Sequence, residues 1–121
     1  MAEMATYIGI EQRTVTANAA IGRGLRGTLN SSGTLDLSAI GVAGDYVALH
    51  DIEANKPGAA ASIAGGGKVP AVASEATLVG DIAYSAASGQ FSKTAAGAVA
   101  VGKWVLAASG AGVLGEVELS V

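Results

Sequence analysis

The sequence has no cysteine, only two prolines and few aromatic residues, which make up 4% of its 121 positions. Without cysteine the chain has no disulfides, no thiolate metal sites and no cysteine nucleophile. A formal net charge of −3 argues against a surface that binds nucleic acid. No uncharged stretch reaches the roughly 20 residues that a membrane-spanning helix needs, and the start of the chain lacks the basic segment of a secretory signal. We therefore expect a protein that acts without translocation or membrane insertion.

What the sequence has in abundance is small residues. Half of it is hydrophobic, but alanine dominates that half, and the large anchors are few: Tyr7, Tyr46, Tyr84, Phe91 and Trp104, with scattered Ile, Leu and Val. Burial of an alanine removes much less apolar area from water than burial of a leucine, at roughly 25 cal/mol per Å². A single core of this kind is thin. We expect the chain to gain stability by associating with copies of itself or with a larger surface.

The 18 glycines interrupt the chain every few residues and leave little room for helical periodicity. Short segments of β-like pattern recur instead, at the spacing of all-β sandwiches and barrels. The clearest is the last, where apolar and polar residues alternate from Val113 to Val121. The sequence thus predicts an all-β fold, a small compact β-sandwich or barrel-like domain. The predicted strands are Thr6–Ile10, Arg13–Ala17, Gly24–Leu29, Gly33–Leu37, Asp45–His50, Asp81–Tyr84, Gln90–Lys93, Lys103–Ala108 and Gly115–Val121.

Two segments differ from the rest of the chain in composition and pattern. Residues 1–16 read as an extended N-terminal arm or as the first strand of the domain, which would then occupy residues 17–121. Residues 53–76 are dominated by Pro, Gly and Ala, so they are interpreted as a long loop, with a possible short helix near 59–64.

A weak internal repeat is visible in four segments that share a small or apolar residue, a glycine, a charged residue and a strand-like run. Their glycines are Gly22, Gly44, Gly80 and Gly102. The pattern suggests two related halves offset by about 58 residues. The alternative is ordinary turn chemistry, since Gly next to a charged residue commonly precedes a strand.

Two glycine motifs resemble nucleotide-binding loops. Gly22, Gly24 and Gly27 have the G-x-G-x-x-G spacing of dinucleotide sites, but turn residues follow where that fingerprint requires a helix. Gly65–Lys68 resembles a phosphate loop, yet Ser62 stands where its first glycine belongs and no hydroxyl follows the lysine. Both motifs are interpreted as loop or strand, and no cofactor is expected.

Catalytic and metal-binding chemistry has little support. His50 is the only histidine, and on a strand its neighbour Asp51 points to the opposite face, which makes a poor pair of ligands. Glu116 and Glu118 share one strand face and are interpreted as a solvated surface. We therefore predict that the protein is not an enzyme and has no metal site.

From Val79 to Val121 the sequence resembles the C-terminal half of tailed-bacteriophage capsid decoration (cement) proteins. The segments that carry the resemblance are Gly80–Tyr84, Gly89–Phe91, Val101–Val105 and Val117–Leu119, with a looser match through Ala43–Val47. Lys103 and Trp104 depart from the family's usual small residues, and residues 1–20 match nothing specific in it.

The resemblance implies a β-rich domain that assembles as a homotrimer on the outer surface of an icosahedral phage capsid. There it would bind the major capsid protein and stabilise contacts between capsid subunits, after synthesis in the bacterial host cytoplasm. Neither nucleic acid nor membrane is an expected partner. The alternative is another virion surface module, either a head-fibre base or a carbohydrate-binding β domain.

Candidate interface residues follow from the N-terminal arm and from the few cations and large side chains. One interpretation of the arm is that it adds a strand to an edge of the capsid protein, where backbone hydrogen bonds would supply affinity. The arginines are interpreted as outward-facing cations in an acidic protein. The predicted interface set is Tyr7, Ile8, Ile10, Arg13, Arg23, Arg26 and Trp104.

Overall fold

A computed structural model of the chain describes residues 11–120 and consists of two antiparallel five-stranded sheets. The first sheet has the strand order β1-β5-β4-β2-β3 and the second the order β6-β10-β9-β7-β8. The first sheet comprises β1 (Gln12–Thr16), β2 (Arg26–Leu29), β3 (Leu35–Leu37), β4 (Tyr46–Ala48) and β5 (Pro57–Ser62). The second comprises β6 (Gly67–Val72), β7 (Ile82–Ser85), β8 (Phe91–Ser92), β9 (Ala100–Leu106) and β10 (Leu114–Leu119), with one 3₁₀ turn at Ala87–Gly89. The predicted all-β sandwich is confirmed.

The two sheets are copies of one another, because adding five to each strand number converts the first order into the second. The pairing registers agree residue by residue. Thr14 lies opposite Ala59 in the first half, and Pro70 opposite Glu116 in the second. Arg26 opposite Val47 corresponds in the same way to Ile82 opposite Lys103. The offset is 56 residues through most of the chain and 57 in the last strand of each half. The predicted repeat is confirmed.

The predicted offset of about 58 residues is wrong by two, because it aligned Gly22 with Gly80. Gly80 instead corresponds to Gly24, and both have a positive φ, at +95° and +83°. Gly33 and Gly89 form a second such pair, at +79° and +75°. These backbone conformations favour glycine, so the turns kept their glycines while the strands between them diverged.

Each sheet curls so that its two edge strands approach each other at a single point. Ala17, just after β1, bridges Leu35 of β3, and Ala73 bridges Phe91 in the second half. The backbone N–H of Asn18 donates to Leu35 at 2.9 Å, and that of Ser74 to Phe91 at 2.8 Å. One bridge does not make a continuous ladder, so within residues 11–120 neither half is a closed barrel.

Residues 53–76 contain β5 and β6, so the prediction of a long loop is wrong, as is that of a short helix at 59–64. In β5 the small residues serve packing. Ala60 and Ala61 are fully buried, and a Cβ on Gly58 would lie 2.5 Å from Ile52. Pro70 is accommodated because β6 is an edge strand, where its missing N–H breaks no ladder. The composition that suggested a loop reflects close packing.

The buried side chains form two clusters. The smaller lies within the first half and includes Val15, Leu35 and Ile52. The larger fills the second half around Phe91 and Trp104 and continues into the first half through Val47, Ala61 and Ile63. The apolar interior therefore crosses from one sheet to the other.

The two halves stack head to tail and are not related by a two-fold axis. The carbonyl of Ser38 accepts a hydrogen bond from the N–H of Gly89 at 2.8 Å. Two-fold symmetry would require Gly33 to donate to Thr94, but Gly33 donates to Asn30 at 3.0 Å instead. Each half thus contributes a different surface to the contact.

Substitution of Gly102 by alanine tests the tight register of the second sheet. A Cβ there would collide with the backbone carbonyl of Glu118, so we expect Gly102→Ala to lower the free energy of unfolding by about 1–3 kcal/mol. Gly110→Ala is the matched control, since a Cβ at Gly110 meets nothing within 4 Å. Urea unfolding followed by the fluorescence of Trp104, the only tryptophan, measures both. Equal stability of the two variants would contradict the register.

Candidate functional site

Arg26 occupies the junction between the two halves and is fully buried. Its guanidinium donates to four backbone carbonyls. Nε bonds Gln90 at 3.0 Å and Nη2 bonds Ala86 at 2.5 Å, both in the second half. Nη1 bonds Val42 at 2.6 Å and Ala43 at 3.0 Å, in the loop after β3. One side chain of β2 therefore ties its own sheet, that loop and the second half together.

The charge of Arg26 is stabilised by the dipoles of the carbonyl groups and by the face of the Phe91 ring. The guanidinium carbon lies 5.6 Å from the centroid of the Phe91 ring, within the range of a cation–π contact. Desolvation by burial lowers the pKa of Arg26 to about 10. The side chain remains a cation at neutral pH, so its hydrogen bonds are charge-assisted.

Trp104 lies at the centre of the second half. Its indole N–H donates to the carbonyl of Ser92 at 3.1 Å, and its ring meets Phe91 edge to face at 6.3 Å. The prediction that Arg26 and Trp104 contact a partner is wrong for this fold, because both are fully buried inside the chain. The sequence predicts surface positions for the cation Arg26 and the aromatic Trp104, whereas both side chains pack in the interior.

The other predicted interface residues are placed as follows. Arg13 is exposed on β1 and pairs with Glu11 at 2.7 Å. Arg23 is exposed in the turn before β2, where its backbone N–H donates to Asp51 at 2.9 Å. Tyr7, Ile8 and Ile10 lie outside the described residues. Arg13 and Arg23 are thus on the surface but on separate elements.

The residues considered for chemistry have structural partners. His50 follows β4, and its Nε2 accepts the N–H of Ala59 at 2.9 Å. Its Nδ1 lies 2.8 Å from the carbonyl of Asp51, so the neutral Nδ1–H tautomer satisfies both contacts. The Gly22–Gly27 motif forms a turn that runs into β2, with no helix behind it. These side chains and glycines organise strand ends.

Within residues 11–120, no three or more His, Cys, Asp or Glu residues come together in a way that could hold a metal ion. Over the same range no helix is long and apolar enough to cross a membrane.

The turn that precedes the second strand of each half has the same backbone in both halves, but it carries a cation in the first half and apolar side chains in the second. In the first half the turn before β2 carries Gly22 and Arg23. At the equivalent positions of the second half stand Leu78 and Val79, which are 68% and 67% exposed. Leu106, which replaces His50, is 52% exposed nearby. We call Leu78, Val79 and Leu106 the apolar tip. Sequence reasoning missed it, although two adjacent large apolar residues in a glycine turn were the available signal.

A second surface feature is a groove of about 500 Å³ on the outer face of the second sheet. It is lined by Ile82, Gly102, Lys103, Glu118 and Ser120, with Ala100 and Leu119. Lys103 and Glu118 lie directly opposite one another on β9 and β10. The groove thus combines an apolar wall with one charge of each sign.

Comparison with known proteins gives a similarity in structure and none in sequence. No protein-family model matches the chain, and no curated protein matches it in sequence. Among solved structures, the head fiber gp8.5 N base of bacteriophage phi29 is similar with a TM-score of 0.68. The match covers 92% of this chain and 94% of that chain at 19% sequence identity. At this identity the similarity concerns the fold.

Removal of the Arg26 side chain tests its role at the junction. Arg26→Met leaves one buried and three partly buried carbonyls without their donor, so we expect a loss of about 3 kcal/mol in the free energy of unfolding. Arg13→Met removes only an exposed ion pair and should cost less than about 1 kcal/mol. Urea denaturation compares them. A similar small loss in both variants would show that Arg26 is dispensable.

Proposed function

We propose that this chain is a structural protein of a bacteriophage virion that attaches to the outside of the capsid and performs no catalysis. The observation that carries the proposal is the match of nearly its whole length to the phi29 head fiber N base. The resemblance of residues 79–121 to capsid decoration proteins supports the same setting independently.

Two roles fit this setting. A decoration protein binds as a homotrimer across neighbouring major capsid proteins and stabilises their contacts. A head-fibre base binds the capsid chiefly to carry a fibre, and the fold similarity supports this second role equally. Both roles need many copies with modest single contacts, because avidity across an oligomer multiplies weak binding.

The apolar tip is our candidate for the surface that meets the major capsid protein. The fold does not require apolar residues there, since the first half builds the same turn with Gly22 and Arg23. Side chains as exposed as Leu78 and Val79 add little to the stability of a free chain. Their burial against a partner would remove apolar area from water.

The proposal is tested by co-sedimentation of the purified protein with capsids of its phage. We expect binding to mature, expanded heads and little binding to immature heads, with a saturable number of copies per particle. Absence of binding to either form would overturn the proposal. Heating loaded and bare heads then separates the two roles. A decoration protein raises the temperature of DNA release, whereas a fibre base occupies its sites and leaves that temperature unchanged.

The contribution of the apolar tip is tested with Leu78→Ser combined with Val79→Ser. We expect at least a tenfold weaker binding to mature heads, with an unchanged urea midpoint, because the turn itself tolerates polar residues. Val113→Ser is the control, as Val113 is also exposed, at 39%, but belongs to the loop before β10 and not to the turn. Undiminished occupancy in the double variant would exclude the tip from the capsid contact.

A further inference from the structure

The contact between the two halves uses two different surfaces. The first half supplies a receiving face, which is buried and consists of Arg26, Val47, Ala61 and Ile63. The second half supplies a covering face, which consists of Val69, Ala86, Gly89 and Gln90. Because the halves are copies in a head-to-tail stack, each half contains both kinds of face. Within residues 11–120, one receiving face and one covering face are therefore left over.

The residue correspondence between the halves locates the unused faces. The receiving face of the second half consists of Ile82, Lys103, Glu118 and Ser120, and the groove of about 500 Å³ lies on it. The covering face of the first half consists of Arg13, Asn30, Gly33 and Thr34. Ile82 stands in the place of Arg26 and is 52% exposed, whereas Arg26 is fully buried by the neighbouring half. The groove marks a position that is filled in the first half and open in the second.

We propose that the covering face of a second copy of this chain docks on the open receiving face. The occupant is indicated by the contact inside the chain, in which a face of the same backbone already covers the equivalent surface. The charges are complementary in kind, since Lys103 and Glu118 lie on one face and Arg13, which pairs with Glu11, lies on the other. This inference deepens the decoration role, of which a homotrimer is part, and rests on that role only for the number of copies.

The contact between copies is more polar than the contact within the chain. Inside the chain the contact is made by three buried apolar residues, Val47, Ala61 and Val69. The residues at the equivalent positions of the contact between copies are charged: Lys103, Glu118 and Arg13, in the same order. Interfaces between chains that fold separately and then assemble are more polar than those of obligate partners. A head-to-tail contact that repeats from copy to copy closes into a ring when its rotation permits, and otherwise continues as a filament.

Engineered cysteines test the docking geometry, and the natural absence of cysteine gives a clean background. Within the chain, the hydroxyl of Ser85 donates to the carbonyl of Ile40 across the junction. The equivalent pair between copies is Leu29 and Ala96. We expect the double variant Leu29→Cys, Ala96→Cys to form disulfide-linked oligomers on mild oxidation, while each single variant forms none beyond the dimer. The control pair is Leu29→Cys with Ser109→Cys. Equal yields from both pairs, or none from the first, would overturn the proposal.

Charge reversal tests the same contact in solution by light scattering over a range of protein concentrations. We expect the unmodified chain to be oligomeric, and Glu118→Arg or Arg13→Glu alone to raise the dissociation constant at least tenfold. The combined variant should recover most of that loss, which a merely structural role would not produce. Glu53→Arg is a control, since Glu53 is exposed outside both faces. A chain that is monomeric throughout overturns this inference. If that monomer still binds capsids, the proposed function stands without it.

Discussion

The structure depends on the capture of four backbone carbonyls by the single buried guanidinium of Arg26. Two of these carbonyls belong to the second half and two to a loop of the first, so one cation fixes three segments at once. A buried cation is tolerable only when its donors are satisfied, and the facing Phe91 ring contributes further. No buried side-chain polar atom within the described residues is left without a partner. The junction therefore combines charge with complete hydrogen bonding.

Around that junction the sheets come close because their residues are small. Gly27 leaves room for Leu35, and Gly115 leaves room for the Trp104 ring. Ala60, Ala61, Ala71 and Ala73 are all fully buried. A chain with few large side chains thus obtains a packed interior by bringing its strands and sheets closer together. The low aromatic content therefore does not imply a loosely packed core. The cost is intolerance of added volume, since a Cβ at Gly27 or Gly115 would lie within 3 Å of a neighbouring atom.

Much of the fold was readable from the sequence, because alternation and glycine turns locate most strands of both halves. β5 and β6 were missed, because an edge proline and a run of alanines have the composition of a loop. The repeat was recognised, but its offset was not, since Gly22 and Gly24 are equally plausible until their φ angles are known. The sequence does not indicate that Arg26 is buried, because its hydrogen-bond acceptors are backbone carbonyls. Every residue has such a carbonyl, so the residue types around Arg26 do not identify its partners. The apolar tip became visible only by comparison with its charged counterpart.

The short turn that joins β5 to β6 is the only covalent link between the two halves. Gly66 and Gly67 adopt left-handed conformations there, at φ of +74° and +89°, and turn the chain back sharply. Hydrogen bonds cross between the halves that this turn connects, among them those of Arg26 to Gln90 and Ala86, and that of Gly89 to Ser38. In proteins generally, exchange of an identical element between copies takes place at hinge loops of this kind, and short hinges favour it.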